Sequence, residues 1–308
     1  MKGSSPSPLS KRQIMKNLNQ WFRKRFEYRI KGKEYVFTKE DFEKVSGATG
    51  LFNELAPRGK WKRGKQFFET RAFGTPEQNK VQVKILPLNA PVKDQPNAVI
   101  PRKMIDDVIE KSCFRVIFNE CICRRGTGCK NFPIDFGCLF IGDGARPLLK
   151  GGVAREATVE EAKAHIQKAA DMKLVPIAAY VKLEQWVMGL SKENHSRLLE
   201  ICLCCPCCCI GMHNLKHITP EFRRQVFKSV GFVAKAFPTC QGCFECVSKC
   251  PAGAIHVKGD KVWVKEDDCV GCGICQNTCP HKAIRLVQIN PSRGGILDYF
   301  DGLHLDVS

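Results

Sequence analysis

Eight cysteines near the C-terminus fall into two runs of identical spacing, and a proline follows each run. They are Cys240, Cys243, Cys246, Cys250, Cys269, Cys272, Cys275 and Cys279. Thiolates with this spacing ligate cubane iron–sulfur clusters, and the fourth cysteine of each run reaches the cluster of the other run. The sequence therefore predicts two [4Fe-4S] clusters with crossed ligation. One cluster would use Cys240, Cys243, Cys246 and Cys279, and the other would use Cys269, Cys272, Cys275 and Cys250.

The segments that follow these runs resemble those of a known family. Cys250-Pro-Ala-Gly-Ala-Ile255 and Cys279-Pro-His-Lys-Ala-Ile284 are similar to the Cys-Pro-x-x-Ala-Ile segments of bacterial-type dicluster ferredoxins. Val257 to Val264, with a turn at Gly259-Asp260, resembles the central hairpin of that family. The resemblance covers about residues 236–289 and implies one-electron transfer at low potential. A pair of zinc sites is the alternative, because zinc also uses paired Cys-x2-Cys units.

Ten more cysteines form two dense runs in the middle of the chain. They are Cys121, Cys123, Cys129, Cys138, Cys202, Cys204, Cys205, Cys207, Cys208 and Cys209. Adjacent side chains of a strand point to opposite faces, so about half of the second run can reach one site. Thiolates this close together would repel one another or oxidise unless a cation shared their charge. The pattern predicts that the two runs meet around at least one further iron–sulfur cluster; zinc and unligated or redox-active thiols are the alternatives.

This middle region broadly resembles cysteine-rich regions that precede ferredoxin modules in proteins of anaerobic bacteria and archaea. Arg124, Arg125 and several glycines flank its first run of cysteines. The last cysteine, Cys113, stands apart from both runs. A lone cysteine is usually a small buried hydrophobe, and that is what we expect of Cys113.

Positive charge is concentrated near the N-terminus. The net charge of the chain is +18, and residues 1–70 hold 17 Lys and Arg against 7 Asp and Glu. Apolar residues recur there at steps of three or four: Met15, Leu18, Phe22, Phe26 and Ile30. This pattern predicts a basic amphipathic helix that packs on its own domain or docks on an acidic protein or anionic membrane surface. Nucleic acid is not an expected partner, because no nucleic-acid-binding signature accompanies the charge.

Several elements must position the cysteines. We expect residues 31–82 to be loop-rich with short helices and residues 86–96 to be an extended connector. A helix should begin at Pro101 and a strand should cover residues 114–118. A second helix should begin at the capping box of Thr158 and Glu161. A third, starting at Thr219-Pro220, should run towards Phe237.

These features predict an α+β fold in four parts. Residues 1–98 form a basic helical N-terminal region, and residues 99–235 form a cysteine-rich mixed α/β domain that binds metal. Residues 236–290 form a ferredoxin-like module with two [4Fe-4S] clusters, and residues 291–308 are a tail. No run approaches the 18 apolar residues of a membrane span and no secretory signal is evident. We therefore expect a cytoplasmic protein with reduced thiols, or one peripheral at the inner face of the membrane.

The cysteines point to redox chemistry without an organic cofactor. No G-x-G-x-x-G or phosphate-binding loop motif is present, so electrons must enter and leave through partner proteins. The leading hypothesis is an electron-transfer protein or subunit of anaerobic metabolism that passes single electrons to a partner oxidoreductase. The alternative is an iron–sulfur reductase in which a middle cluster and adjacent thiols reduce a disulfide-type substrate. Cys205-Pro206-Cys207 is the one spacing that matches ferredoxin-dependent thiol reductases.

Overall fold

The computed structural model describes residues 35–55, 81–88, 101–290 and 294–307, together with eight positions between residues 13 and 24. Its helices are α1 (Lys39–Leu55), α2 (Pro101–Lys111), α3 (Ile122–Thr127), α4 (Val159–Asp171), α5 (Lys182–Val187), α6 (Lys192–Ser196), α7 (Ile210–Asn214), α8 (Pro220–Val226), α9 (Glu245–Lys249) and α10 (Ile274–Thr278). Its strands are β1 (Val81–Ile85), β2 (Arg115–Phe118), β3 (Leu139–Ile141), β4 (Ala154–Glu156), β5 (Val175–Val181), β6 (Leu199–Cys204), β7 (Phe227–Ser229), β8 (Phe232–Ala236), β9 (Ile255–Lys258), β10 (Lys261–Val264) and β11 (Ile284–Gln288). This mixture confirms the α+β class.

Seven strands form one sheet in the order β4-β2-β3-β6-β5-β1-β7. Its pairs are antiparallel except for β1 with β7, which is parallel. Strand β5 is buried along all seven residues, as its apolar sequence requires. Strand β6 lies beside it and carries Cys202 and Cys204 opposite Ile177 and Val175. Strand β1 precedes the domain boundary predicted at residue 98, yet it pairs with strands that follow that boundary.

The predicted helices α2 and α4 are both confirmed. Helix α2 buries the stripe that includes Met104 and Val108. In α4, the Thr158 side chain accepts a hydrogen bond from the Glu161 amide while the Glu161 carboxylate accepts one from the Thr158 amide. Helix α4 lies between the two middle cysteine runs in the chain, which then returns to the sheet through β5 and β6.

Two small antiparallel strand pairs accompany the C-terminal cysteines. Strands β9 and β10 form the predicted hairpin, with its turn at Gly259-Asp260. Strand β8, which precedes the cysteine runs in the chain, pairs with β11, which follows them. The prediction of one helix from Pro220 towards Phe237 is wrong beyond Val226. Residues 227–229 pair with β1, Gly231 adopts a left-handed φ of 91° and β8 follows, because this short apolar run gains more from strand pairing than from a helical face.

The loop-rich prediction for residues 31–82 is wrong over Lys39–Leu55, which forms the 17-residue helix α1. The start of α1 is fixed by Thr38 and Asp41, because the Asp41 amide donates to Thr38 Oγ1 at 3.3 Å and the Thr38 amide donates to Asp41 Oδ2 at 3.0 Å. This capping pattern was present in the sequence. The two glycines of the helix, Gly47 and Gly50, made its apolar periodicity harder to recognise. Residues 56–80 and 89–100 lie outside the described residues.

Helix α1 packs tightly on α3, the helix that follows Cys121. A side chain at Gly50 would clash with the backbone of Gly126, whereas a side chain at Gly47 would meet nothing within 4 Å.

We expect Gly50→Ala to destabilise the protein by about 1–3 kcal/mol, because the added methyl group would overlap backbone atoms of Gly126, which cannot move aside as a flexible side chain can. Gly47→Ala should stabilise it by up to about 1 kcal/mol through helix propensity. Anaerobic thermal unfolding measures both, and equal midpoints for the two variants would contradict this packing.

Both ends of the described chain form hydrogen bonds to other elements of the fold. The apolar stripe predicted for the N-terminal helix lies outside the described residues, but the described positions between 13 and 24 are helical. Among them Trp21 is buried and donates from Nε1 to Asp41 Oδ1 at 2.6 Å. At the other end, Tyr180 donates to the Gly302 carbonyl at 3.1 Å. In the parts of the chain that the structure describes, no helix has the length and apolar character needed to cross a bilayer.

Candidate metal centres

The two C-terminal cysteine runs adopt the same local structure. Cys246 lies in α9 and Cys275 lies in α10, and both helices have five residues. The residue before each helix has a left-handed backbone, with φ of 56° at Phe244 and 77° at Gly273. This turn lets each short helix begin two residues after the second cysteine of its run. The internal duplication seen in the sequence is therefore also present in three dimensions.

Backbone amides approach the fourth cysteine of each run in the same way. The Ala254 amide donates to Cys250 Sγ at 3.3 Å, and the Ala283 amide donates to Cys279 Sγ at 3.3 Å. Hydrogen bonds from amides stabilise negative charge on sulfur and tune the potential of a bound cluster. Both sulfurs are therefore prepared to carry the charge of a metal-bound thiolate.

One cavity is lined by four cysteines drawn from both runs. We call them the inner set: Cys250, Cys269, Cys272 and Cys275. The sulfur of Cys269 accepts hydrogen bonds from the amides of Ala234 and Gly271, both at 3.4 Å. Cys250 comes from the first run and the other three come from the second, so this is the grouping that crossed ligation requires.

The remaining four cysteines form a second group nearer the surface. We call them the outer set: Cys240, Cys243, Cys246 and Cys279. Burial raises the pKa of the Cys246 thiol, and the neighbouring Cys279, Cys243 and Cys240 thiols raise it further. Cys243 is exposed, as is the Phe244 ring beside it. The outer set is thus accessible to a partner protein, whereas the inner set is largely enclosed.

The chemistry of the inner set fits a positively charged metal cluster. Burial raises the pKa of Cys272 to about 12 and that of Cys275 well above its ordinary value. Thiols with such pKa values stay protonated at neutral pH unless a cation shares their cavity. Metal binding supplies that cation and displaces the protons.

Comparison with known protein families bears directly on these cysteines. Residues 239–283 match the family of 4Fe-4S dicluster domains, and this stretch contains all eight C-terminal cysteines. The C-terminal region is a ferredoxin-like iron–sulfur module. A search of curated proteins finds no match to the chain. The family match does not extend to the middle cysteines, so these must be interpreted from their own geometry.

The two middle cysteine runs lie side by side, as the sequence predicted. Cys129 Sγ is 3.9 Å from Cys207 Sγ, and Cys138 Sγ is 3.7 Å from Cys202 Sγ. The contacts divide the ten thiols into two sets. The compact set is Cys129, Cys205, Cys207 and Cys208, whose sulfurs all lie within 4.8 Å of one another. The linked set is Cys121, Cys123, Cys138, Cys202, Cys204 and Cys209, which are joined by hydrogen bonds between thiols.

The fold explains this division of the second run. Cys202 and Cys204 lie two residues apart on β6 and therefore share one face of the sheet. The chain then turns at residues 206–208, and Cys209 Sγ comes to lie 2.9 Å from Cys204 Sγ at the start of α7. Three of the six cysteines thus reach each set, in line with the expectation that about half could reach one site.

Hydrogen bonds within the linked set shift the pKa values of its thiols in opposite directions. A hydrogen bond with Cys123 and the positive charge of Arg124 together lower the pKa of Cys121 to about 7. Hydrogen bonds with Cys123 and Cys204 lower the pKa of Cys209 well below its ordinary value. The pKa values of Cys123 and Cys204 are raised in turn. Cys121 and Cys209 are therefore the thiols of this set that ionise first.

A fully buried guanidinium lies between the two middle sets. Arg124 donates from Nη1 to the Leu203 carbonyl at 3.0 Å and from Nη2 to the Phe136 carbonyl. Burial opposes its charge, but the thiols of Cys121, Cys205 and Cys138 outweigh this and raise the pKa of Arg124. The arginine is thus a permanent positive charge placed beside sulfur ligands. Sequence reasoning noted its position but did not predict that it is buried.

Glu200 is a second buried charged residue that sequence reasoning missed. It lies on β6, and its Oε1 accepts a hydrogen bond from the Cys202 thiol at 2.9 Å. Glu200, Cys138 and Cys202 form a group of potential metal ligands. The available signal was a carboxylate in the otherwise apolar and cysteine-rich strand Leu199–Cys204.

The inner set lies against the strand that pairs with the middle cysteines. A small cavity is lined by Cys272 and Gly273 on one side and by Leu174 and Val175 on the other. Val175 of β5 is the partner of Cys204 on β6. One layer of residues therefore separates the inner set from the linked set.

Ion pairs hold the ferredoxin-like module against the middle of the chain. Asp268 immediately precedes Cys269 and contacts Arg224 Nε at 2.9 Å, Lys265 Nζ at 2.9 Å and Arg223 Nη2 at 3.5 Å. Both arginines belong to α8. This network fixes the loop that carries Cys269 to a helix outside the module.

The prediction for Cys113 is wrong, because this residue is exposed. It follows the end of α2, and its backbone amide donates to the Asp306 carbonyl at 3.4 Å, which leaves its side chain outside the core. Among the described cysteines it lies outside both the inner and outer sets and both middle sets. It therefore provides a control position for experiments on the other cysteines.

Proposed function

We propose that this protein transfers single electrons through two [4Fe-4S] clusters held by the outer and inner sets, and through a further iron–sulfur cluster held by the linked set. One observation carries the proposal: the inner set is one residue layer, at Val175, from Cys204 of the linked set. A ferredoxin-like module that acted alone would not need a cysteine-rich sheet beside its inner set. The arrangement instead favours a linear path from the surface to the middle of the chain.

The residues around each set support this path. When bound, each cluster accepts and releases one electron at a time. Cys243 and Phe244 leave the outer set accessible to a partner, while burial of Cys269 and Cys275 keeps water from the inner set. Amides directed at Cys250, Cys269 and Cys279 would stabilise the added negative charge. Partner proteins would therefore exchange electrons at the outer set.

The donor and acceptor are proposed to be proteins, with docking assisted by the basic N-terminal region. Residues 1–70 contain 17 Lys and Arg against 7 Asp and Glu, and this net positive charge suits an acidic partner surface or an anionic membrane face. Lys16, Arg23 and Lys24 are described, and all three are exposed. A cytoplasmic location, where these thiols stay reduced, is part of the same proposal.

Electron paramagnetic resonance of the anaerobically purified, reduced protein tests the two-cluster part of the proposal. We expect about eight irons from the ferredoxin-like module and [4Fe-4S]⁺ signals that are magnetically coupled, because crossed ligation holds the two clusters close together. Iron beyond this number, with matching acid-labile sulfide, is expected from the linked set. Stoichiometric zinc without iron would contradict the proposal.

A second function is favoured by one contact within the linked set. Cys204 and Cys209 have their sulfurs 2.9 Å apart, and hydrogen bonds with Cys123 and Cys204 lower the pKa of Cys209. Such a pair could reduce a substrate disulfide to two thiols while itself becoming a disulfide. Two electrons, delivered one at a time, and two protons would then restore it. Turnover of a disulfide with an artificial electron donor would favour this reductase over a carrier.

A further inference from the structure

We infer that the compact set, Cys129, Cys205, Cys207 and Cys208, binds a single tetrahedrally coordinated metal ion, zinc or iron, rather than an iron–sulfur cluster. The site would be additional to the clusters of the proposed function and does not depend on them. Its function would be to join the segment after α3 to the turn after β6. The inference rests on the spacing of the sulfur atoms, on their enclosure and on the groups around them.

The spacing of the sulfurs fits one ion. Four thiolates around a tetrahedral ion at about 2.3 Å have their sulfurs roughly 3.8 Å apart. The ligand sulfurs of a cubane are roughly 6 Å apart, because four irons and four sulfides lie between them. All four sulfurs of the compact set are within 4.8 Å of one another, and Cys129 and Cys207 are 3.9 Å apart. A cubane would not fit without moving several of these residues.

The ferredoxin-like module provides an internal comparison. Its inner and outer sets are the ones that a dicluster domain uses for cubanes, and all eight of its cysteines are described. Among the described residues, neither set forms a group whose sulfurs all lie within 4.8 Å of one another. The module thus holds its cysteines at a wide spacing where cubanes are expected, whereas the compact set holds four at a narrow spacing. The linked set contains close pairs, Cys138 with Cys202 and Cys204 with Cys209, but no four of its sulfurs form such a group.

The compact set is enclosed and supported by hydrogen bonds. Cys129, Cys205 and Cys208 are buried and Cys207 is partly buried. Four thiolates fill a tetrahedral shell and leave no open coordination position for a substrate. The amides of Asn131 and Phe132 donate to the sulfur of Cys129. A closed site of four thiolates with supporting donors is typical of structural metal ions.

The negative charge of such a site is offset in part by Arg124. Four thiolates and one divalent ion leave a net negative charge, which is costly in a buried position unless it is paired. The guanidinium of Arg124 is fully buried and lies against Cys205. Its Nε has no hydrogen-bond partner among the described protein atoms, so it is available to a charged sulfur.

Metal and sulfide analysis of the anaerobically purified full chain tests the inference. Cys207→Ser changes the least buried ligand and should remove about one zinc or iron per chain while acid-labile sulfide stays constant, since a single-ion site holds no inorganic sulfide. Cys113→Ser should leave both quantities unchanged. Cys138→Ser, in the linked set, should instead remove iron and sulfide together, so that failure of the proposed function is distinguishable from failure of this inference.

The wild-type protein gives a second measurement if Cys207→Ser does not fold. Its total of iron and zinc should exceed its acid-labile sulfide by about one per chain, because cubanes contain the two in equal number. If the ion is zinc, X-ray absorption at the zinc edge should show four sulfur neighbours at about 2.3 Å. Equal metal and sulfide, loss of about four irons with four sulfides in Cys207→Ser, or a disulfide between Cys129 and Cys207 would each overturn the inference.

Discussion

Replacing Arg124 by methionine should lower the stability of the protein by about 3–5 kcal/mol, the usual cost of removing one partner from a buried charged network. Methionine fills a similar volume but donates no hydrogen bond. The carbonyls of Leu203 and Phe136 would lose a hydrogen-bond donor, and the thiols of Cys121 and Cys205 would lose the positive charge beside them. At roughly 2–4 °C per kcal/mol, anaerobic thermal unfolding should show a fall of ten degrees or so.

The neighbouring arginine is a matched control for this change. Arg125 is 42% exposed and pairs with Glu43 at 2.8 Å. Because exposed ion pairs contribute little, Arg125→Met should cost less than about 1 kcal/mol. Arg124→Lys keeps the charge but cannot direct two donors at two carbonyls, so its midpoint should fall between those of the wild type and Arg124→Met. Equal midpoints for Arg124→Met and Arg125→Met would show that the buried guanidinium is not important for stability.

Much of the module around residues 240–279 could be predicted from the sequence because its ligands are close together in the chain. Spacing and the trailing prolines Pro251 and Pro280 constrain the local backbone strongly. The hairpin at Gly259-Asp260 was predicted for the same reason, since a turn is fixed by a few adjacent residues. The meeting of the two middle runs was also predicted, from their density and from the helix that begins at Thr158.

The features that were not predicted depend on distant contacts. The burial of Arg124 follows from carbonyls at Phe136 and Leu203, and the latter lies 79 residues away. Helix α8 ends at Val226 because β1 provides a partner strand for Phe227 and its neighbours. The division of the middle cysteines into compact and linked sets depends on the turn after Cys204. No local pattern records these contacts, because each is set by the packing of the whole sheet.

Loss of the inner cluster should have a much larger effect than loss of the outer one. We expect Cys243→Ala and Cys272→Ala each to remove one cluster, about four irons, and to abolish magnetic coupling between the two. Cys243 is exposed, so its variant should keep the fold and the inner cluster. Cys272 lines an enclosed cavity with Val175 and Leu174, so its variant should leave buried thiols without a cation.

The two variants should therefore differ in both stability and electron transfer. Metal binding at an enclosed site contributes to folding free energy, so the thermal midpoint should fall further in Cys272→Ala than in Cys243→Ala. In Cys272→Ala a donor protein should still reduce the outer cluster, but electrons should no longer reach the centre proposed for the linked set, because the cluster next to Val175 is missing. Stopped-flow reduction followed by rapid freezing measures this. Undiminished reduction of the linked set in Cys272→Ala would mean that electrons enter the middle of the chain by another route, and that the position of the inner set beside β5 serves packing alone.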